Sequence, residues 1–124
     1  MKKFCIIFTL ALLCSAPSYA QLKVIGTGDN MSVDTSVFPP KMQAAYDLMT
    51  KKCGKCHTME RVIVSVQTGL CPFSKTSFTK DTAKSIVTRM LLKPESDMTR
   101  KDAKTILELL NFMLDEKLRV AEKH

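Results

Sequence analysis

The chain has 124 residues, a formal charge of +7, 45% hydrophobic and 25% charged residues, and no tryptophan. That length suits one domain, and the composition excludes a disordered or low-complexity chain. No basic motif interleaved with aromatics is present, which argues against nucleic acid as a partner.

The first twenty residues read as a signal peptide. Lys2 and Lys3 give a charged start, "FCIIFTLALLC" an apolar centre, and "APSYA" a small-residue end with Ser18 and Ala20 before a cleavage point. The apolar run is shorter than the ~20 residues a spanning helix needs. Cys14 raises a lipoprotein signal, but Leu13 stands where a small residue is expected. Cleavage after Ala20 implies export to the periplasm as a chain without stable membrane insertion. It also removes two lysines, taking the formal charge from +7 to +5.

Residues 21–39 hold Gly26, Gly28, Asp29, Asn30 and Asp34 and read as an irregular lead-in. The domain proper is 40–124. Pro39 and Pro40 suit a helix start, and Met42, Ala45, Tyr46 and Met49 recur at helical spacing, giving a helix over 41–53. Residues 61–67, "RVIVSVQ", are rich in β-branched side chains, which favour a strand. A lone strand leaves its backbone unpaired, so irregular structure or a short helical turn is expected instead. Residues 68–78 form a loop. A second helix spans 79–92, with Ala83, Ile86, Val87, Met90 and Leu91 on one face, and Pro94 ends it. Thr99 with Asp102 three positions on makes a capping box. The helix it opens runs to about 119 on a stripe of Ala103, Ile106, Leu107, Leu110, Met113, Leu114 and Leu118. Three helices without paired strands predict an all-α domain.

The chemistry concentrates in "CGKCH", residues 53–57. Once the signal leaves, three cysteines remain: Cys53, Cys56 and Cys71. An odd number in an oxidising compartment does not make a disulfide framework. A thiol redox pair usually follows a strand in a βαβ unit, which is missing. Structural zinc wants four ligands, and no second cluster is present. Covalent haem attachment uses all three residues in order. Each thiol adds across a vinyl group, a three-residue separation puts both sulfurs on one side of a helical turn, and His57 supplies an axial nitrogen. This reading assigns Cys53 and Cys56 to thioether bonds and His57 to the iron.

On these residues the sequence resembles the class I cytochrome c family over roughly 40–118. A helix leads into the motif in "PPKMQAAYDLMTKKCGKCH", and "TRKDAKTILELLNFM" matches the family's closing helix. The stretch "FTKDTAKSIVTRMLLKPESDMTRKDAKTILELL" is similar to the distal half of small bacterial monohaem cytochromes. The resemblance implies a helical fold wrapped around one covalent haem c, and a methionine as second axial ligand. The family's Met-Pro pair is missing. Met90 lies 33 positions past His57, before a proline turn, where the family places its distal methionine, and Met98 is the second choice. Met113 and the earlier methionines have core or positional explanations, and His124 sits at the terminus.

No paired catalytic carboxylates or nucleophile with its base appear, so the expected role is an electron carrier rather than an enzyme. The alternatives are a haem subunit of a dehydrogenase, or a haem sensor with an open sixth position. Cys71 reads as a small buried hydrophobe or a free thiol. Lys51, Lys52, Lys55 and Arg61 cluster around the motif, as a solvated face or as a guide for an acidic redox partner.

Overall fold

The computed structural model describes residues 22–121, and side chains as far as residue 117. The signal segment, the side chain of Leu118 in the expected stripe, and His124 lie outside what is described.

The described residues are mostly helical, with four α-helices among them: α1 (Pro40–Cys53), α2 (Glu60–Thr68), α3 (Lys80–Leu91) and α4 (Arg100–Ala121). α4 is the axis of the fold, because α1, α2 and α3 all pack against it. Its sequence explains this. Ile106, Leu109, Leu110 and Met113 are spaced to share one face and are almost fully buried. Leu109, absent from the predicted stripe, is more deeply buried than the half-exposed Leu107 that stood in its place. The capping box is formed as predicted: the Asp102 backbone N–H donates to Thr99 Oγ1 at 3.1 Å, and the Thr99 backbone N–H donates to Asp102 Oδ2 at 3.0 Å. Met98, just before the cap, packs against the core.

α1 begins with Pro40 in its first turn and runs to Cys53, as the sequence indicates. Ala45, Tyr46 and Met49 form its buried face. α3 starts on Thr79, whose side-chain oxygen accepts from the Thr82 backbone N–H at 3.3 Å. Its apolar stripe is only partly covered: Ala83 and Val87 are buried, while Ile86, Met90 and Leu91 remain half-exposed.

Two sequence expectations need correction. Residues 60–68, expected as irregular structure or a short helical turn, form a full nine-residue helix. Ile63 and Val66, three positions apart, are essentially fully buried, and α2 packs on α4. Burial of that face outweighs the local β preference of Val and Ile. Gly69 closes the helix in the left-handed region at φ 71°, which glycine adopts without strain. The domain therefore has four helices rather than three.

The lead-in is also not wholly irregular. β1 (Val24–Ile25) pairs antiparallel with β2 (Ser32–Val33), with Val24 opposite Val33 and Ile25 opposite Ser32. The Val33 backbone N–H donates to the buried Tyr46 hydroxyl at 2.8 Å. That bond satisfies both groups and ties the hairpin to α1. Phe38 meets Phe112 edge to face at 5.1 Å, which fixes the lead-in against α4. Among the described residues, no helix is long and apolar enough to cross a membrane.

Candidate haem-attachment site

The motif sits where α1 stops. Cys53 is the last helical residue and is buried at 6% exposure. Gly54 turns the chain, its N–H donating to the Thr50 carbonyl at 3.0 Å. A Cβ at this position would collide with that carbonyl oxygen, so the turn needs glycine. Cys56 follows in the turn and is exposed, and His57 is half-buried. The two sulfur-bearing residues therefore differ in environment, contrary to the simple picture of one shared side of a helical turn. The helix ends between them, so Cys53 faces inward and Cys56 outward.

His57 is oriented by its neighbour. Its Nδ1 lies 3.0 Å from the Thr58 carbonyl oxygen. A carbonyl can only accept, so this contact selects the tautomer with hydrogen on Nδ1. Nε2 then carries the lone pair, the arrangement that suits a metal-binding imidazole.

A cleft of about 390 Å³ opens between the end of α1, α2, the 69–78 loop and α3. It falls in the size range of small-ligand pockets. Its walls include Val62, Ile86, Val87 and Leu110, and Cys53, His57, Cys71 and Met90 all line it. The half-exposed stripe of α3 faces this space, which is why Ile86 and Met90 lack full cover. A second hollow of about 460 Å³ adjoins it. Cys56 lines this one, and His57, Arg61, Pro72 and Phe73 line both. Met98 lines neither.

The donor set thus fits a flat apolar group held from two sides. Cys53 and Cys56 stand at adjoining hollows, His57 stands between them, and Met90 reaches the inner hollow from the far helix. Among the described residues, no three His, Cys, Asp or Glu side chains gather to hold a bare metal ion.

Burial alone pushes the Cys53 thiol up to about 11. Cys71 is buried at 9% exposure, in keeping with a small core hydrophobe, yet it also lines the cleft. A tight turn holds it: the Cys71 N–H donates to the Thr76 carbonyl at 2.8 Å, and the Cys71 carbonyl accepts from the Lys75 N–H at 2.9 Å. No sequence signal placed Cys71 in the cleft. Its spacing from His57 matches no motif, and only the fold of the 69–78 loop brings the two together.

The basic cluster around the motif is largely engaged by contacts within the chain. Lys52 is only 15% exposed and lies 3.6 Å from Asp97 Oδ2 and 3.5 Å from Asp102 Oδ2. It also donates to the Asp97 backbone carbonyl. Lys55 pairs with Asp97 Oδ2 at 3.2 Å. Arg61 stacks over Phe73, 4.2 Å from the ring centroid. Of the four cations, Lys51 alone stands exposed without one of these contacts. The lysines thus join the attachment motif to the turn before α4, a role the sequence pattern did not reveal.

Comparison with protein-family models, with curated proteins and with solved structures finds no match to this chain.

Proposed function

We propose that this protein is a periplasmic electron carrier with one covalent haem c, held through thioethers at Cys53 and Cys56 and ligated by His57 and Met90. One observation carries the reading: Cys53, His57 and Met90 line a single apolar cleft, and Cys56 lines the hollow beside it. Three of these residues lie within five positions, and the fourth is brought from another helix.

When bound, the haem supplies a one-electron Fe(III)/Fe(II) couple. The chain's own residues then have separable tasks. The Thr58 carbonyl fixes the His57 ring through Nδ1 and leaves Nε2 directed for ligation. The thioether of Met90 is a soft neutral donor, which favours the reduced state. Val62, Ile86, Val87 and Leu110 exclude water, and an apolar surround further favours the less charged Fe(II) form. An acidic redox partner would meet a surface with fewer free cations than the sequence implies, because Lys52 and Lys55 are paired within the chain.

The test is expression with a cytochrome c maturation system, followed by intact mass and the oxidised spectrum. One haem per chain is expected, with a low-spin spectrum and a methionine–iron charge-transfer band. Met90→Ala should abolish that band and admit imidazole, while Met98→Ala keeps the wild-type spectrum. A mass equal to the bare polypeptide overturns the reading.

A further inference from the structure

We propose that the N-terminal hairpin is part of the site: its turn, through Asp29, walls the hollow that takes the Cys56 side of the bound group, and Tyr46 is the positioning residue that holds this wall in place. This rests on the haem reading, because only a group bonded at both cysteines has a Cys56 side. The hairpin lies before the region that resembles the cytochromes, and nothing in its sequence points to the site. Asp29 nonetheless lines the outer hollow together with Cys56, His57 and Glu60. It comes from the short turn Gly28–Asn30 between β1 and β2.

Three sets of contacts put the turn there. Within the hairpin, the Asp34 N–H donates to the Lys23 carbonyl at 2.8 Å, and the Met31 N–H donates to the Gly28 carbonyl at 3.0 Å. Against the helices, the turn and β2 both pack on α2, the helix that follows His57. At the base, the Val33 N–H donates to the Tyr46 hydroxyl at 2.8 Å, with both residues buried. A buried N–H left without a partner costs more than such a bond contributes net, so this contact disfavours other placements of the hairpin on α1. Tyr46 lines neither hollow. What it does for the site, it does through the hairpin.

The wall has two consequences for a group in the outer hollow. It replaces water along the Cys56 side, and it sets a carboxylate there. Asp29 is exposed, so it stands at the rim. A nearby negative charge stabilises Fe(III) over Fe(II), so Asp29 lowers the reduction potential. Glu60 and Arg61 line the same hollow, and Lys55 precedes Cys56 in the chain. Those charges are common to every variant below, so differences between variants report Asp29.

The test has two arms, so that it can fail separately from the haem reading. The first uses the full chain made without the maturation system. Cys56 is exposed, and its reaction with two methanethiosulfonates is followed by mass mapping. One reagent carries a trimethylammonium group and the other a sulfonate. The Cys56 thiolate attacks the reagent sulfur, and sulfinate leaves as the mixed disulfide forms. The ratio of the two rate constants, cation over anion, reads local charge, because the reactivity of the thiol and the stability of the fold cancel in it. In Asp29→Asn the ratio should fall about threefold at low ionic strength, the effect of one charge a few ångströms away in water. Tyr46→Phe keeps the buried ring but releases the hairpin, and should lower the ratio part of the way. Asp47→Asn removes an exposed carboxylate of α1 that lines neither hollow, and should keep the wild-type ratio. A ratio in Asp29→Asn equal to wild type overturns the proposal. A fall in Asp29→Asn with none in Tyr46→Phe overturns the role of Tyr46.

The second arm uses the maturation system. Asp29→Asn should carry one haem with the wild-type spectrum and a higher midpoint potential, and the gap should narrow as salt is added. Equal potentials in haem-loaded wild type and Asp29→Asn at low salt overturn the proposal, even where the reagent ratio falls. A chain that carries no haem in this arm overturns the haem reading, and the reagent ratio then decides by itself whether the hairpin lies beside Cys56.

Discussion

The two sides of the helical bundle are finished differently. Where α1 lies against α4, Ala45, Leu109 and Met113 are sealed to 1% exposure or less. Where α2 and α3 face each other across the 69–78 loop, Val62, Ile86 and Met90 stay half-exposed around a cleft. Both sides draw on the same residue types. The difference lies in what covers them: on one side another helix, on the other nothing among the described residues. An apolar face left open at His57, with its imidazole already oriented, is what a bound ring would complete. The comparison also divides the residues into those that should govern stability and those that should govern ligation.

The largest effect separates the two cysteines of the motif, one from each environment. In the folded, haem-free chain Cys56 is exposed, while Cys53 is buried with its thiol raised to about 11. The thiolate is the reactive form. A group titrating near 11 is about one part in a thousand thiolate at pH 8, and burial blocks approach as well. Alkylation of Cys53 should therefore be slower than that of Cys56 by at least about a hundredfold at pH 8. It should speed up as pH rises toward 11, because deprotonation then becomes favourable. Mass mapping of iodoacetamide adducts over time checks this. Equal rates at the two positions would mean that the end of α1 opens freely. A large difference carries a consequence for attachment: a thioether at Cys53 has to form before this packing closes over the thiol.

The next contrast concerns the core and the cleft. Leu109 has no exposed surface and lies on α4, against which α1, α2 and α3 all pack. Leu109→Ala should cost about 2–5 kcal/mol in urea unfolding, with the haem spectrum of the folded fraction unchanged. Met90 is half-exposed, so Met90→Ala should cost less than that while altering the spectrum. If Met90→Ala costs as much as Leu109→Ala and leaves the spectrum alone, the methionine is a core residue and the cleft is not where the second ligand comes from.

What the sequence made legible follows the same division. α1, α3 and α4 could be read because their apolar spacing and their starts, at Pro40, Thr79 and Thr99, agree with each other. α2 could not: Val62, Ile63, Val64 and Val66 point locally to a strand, and only the packing of Ile63 and Val66 makes a helix of them. The hairpin at 24–33 was hidden because its strands are two residues each, and its anchor, Tyr46, lies in another element. In the site, Cys53, Cys56 and His57 stood out because the proposed attachment needs them at fixed spacing. The entry of Cys71, Arg61 and Arg89 into the same space depends on three separate elements meeting. The pairing of Lys52 and Lys55 with Asp97 spans more than forty positions. No local pattern encodes either.

The smallest expected effect tests that last link, the clasp between the motif and the start of α4. Asp102 is held below the ordinary carboxylate range, first by the Thr99 backbone N–H, with the Thr99 hydroxyl and the Lys52 charge adding to it. Asp97 is lowered first by its hydrogen bond from Lys55 and then by the charges of Lys52 and Lys55. A carboxyl whose folded value lies below its unfolded one stabilises the fold above the unfolded value, near 4, and loses that contribution as pH falls through the folded value. The fold should therefore weaken on acidification below about pH 4, not around neutrality. Thr99→Ala and Asp102→Asn should each cost about 1 kcal/mol at pH 7, the usual worth of a helix cap. Asp102→Asn should also flatten the acid limb, because it removes one of the titrating groups, whereas Thr99→Ala leaves a carboxylate there with one bond fewer. Urea unfolding at pH 7 and at pH 3 measures both. If Asp102→Asn loses as much stability between those two pH values as wild type does, the acid sensitivity resides elsewhere.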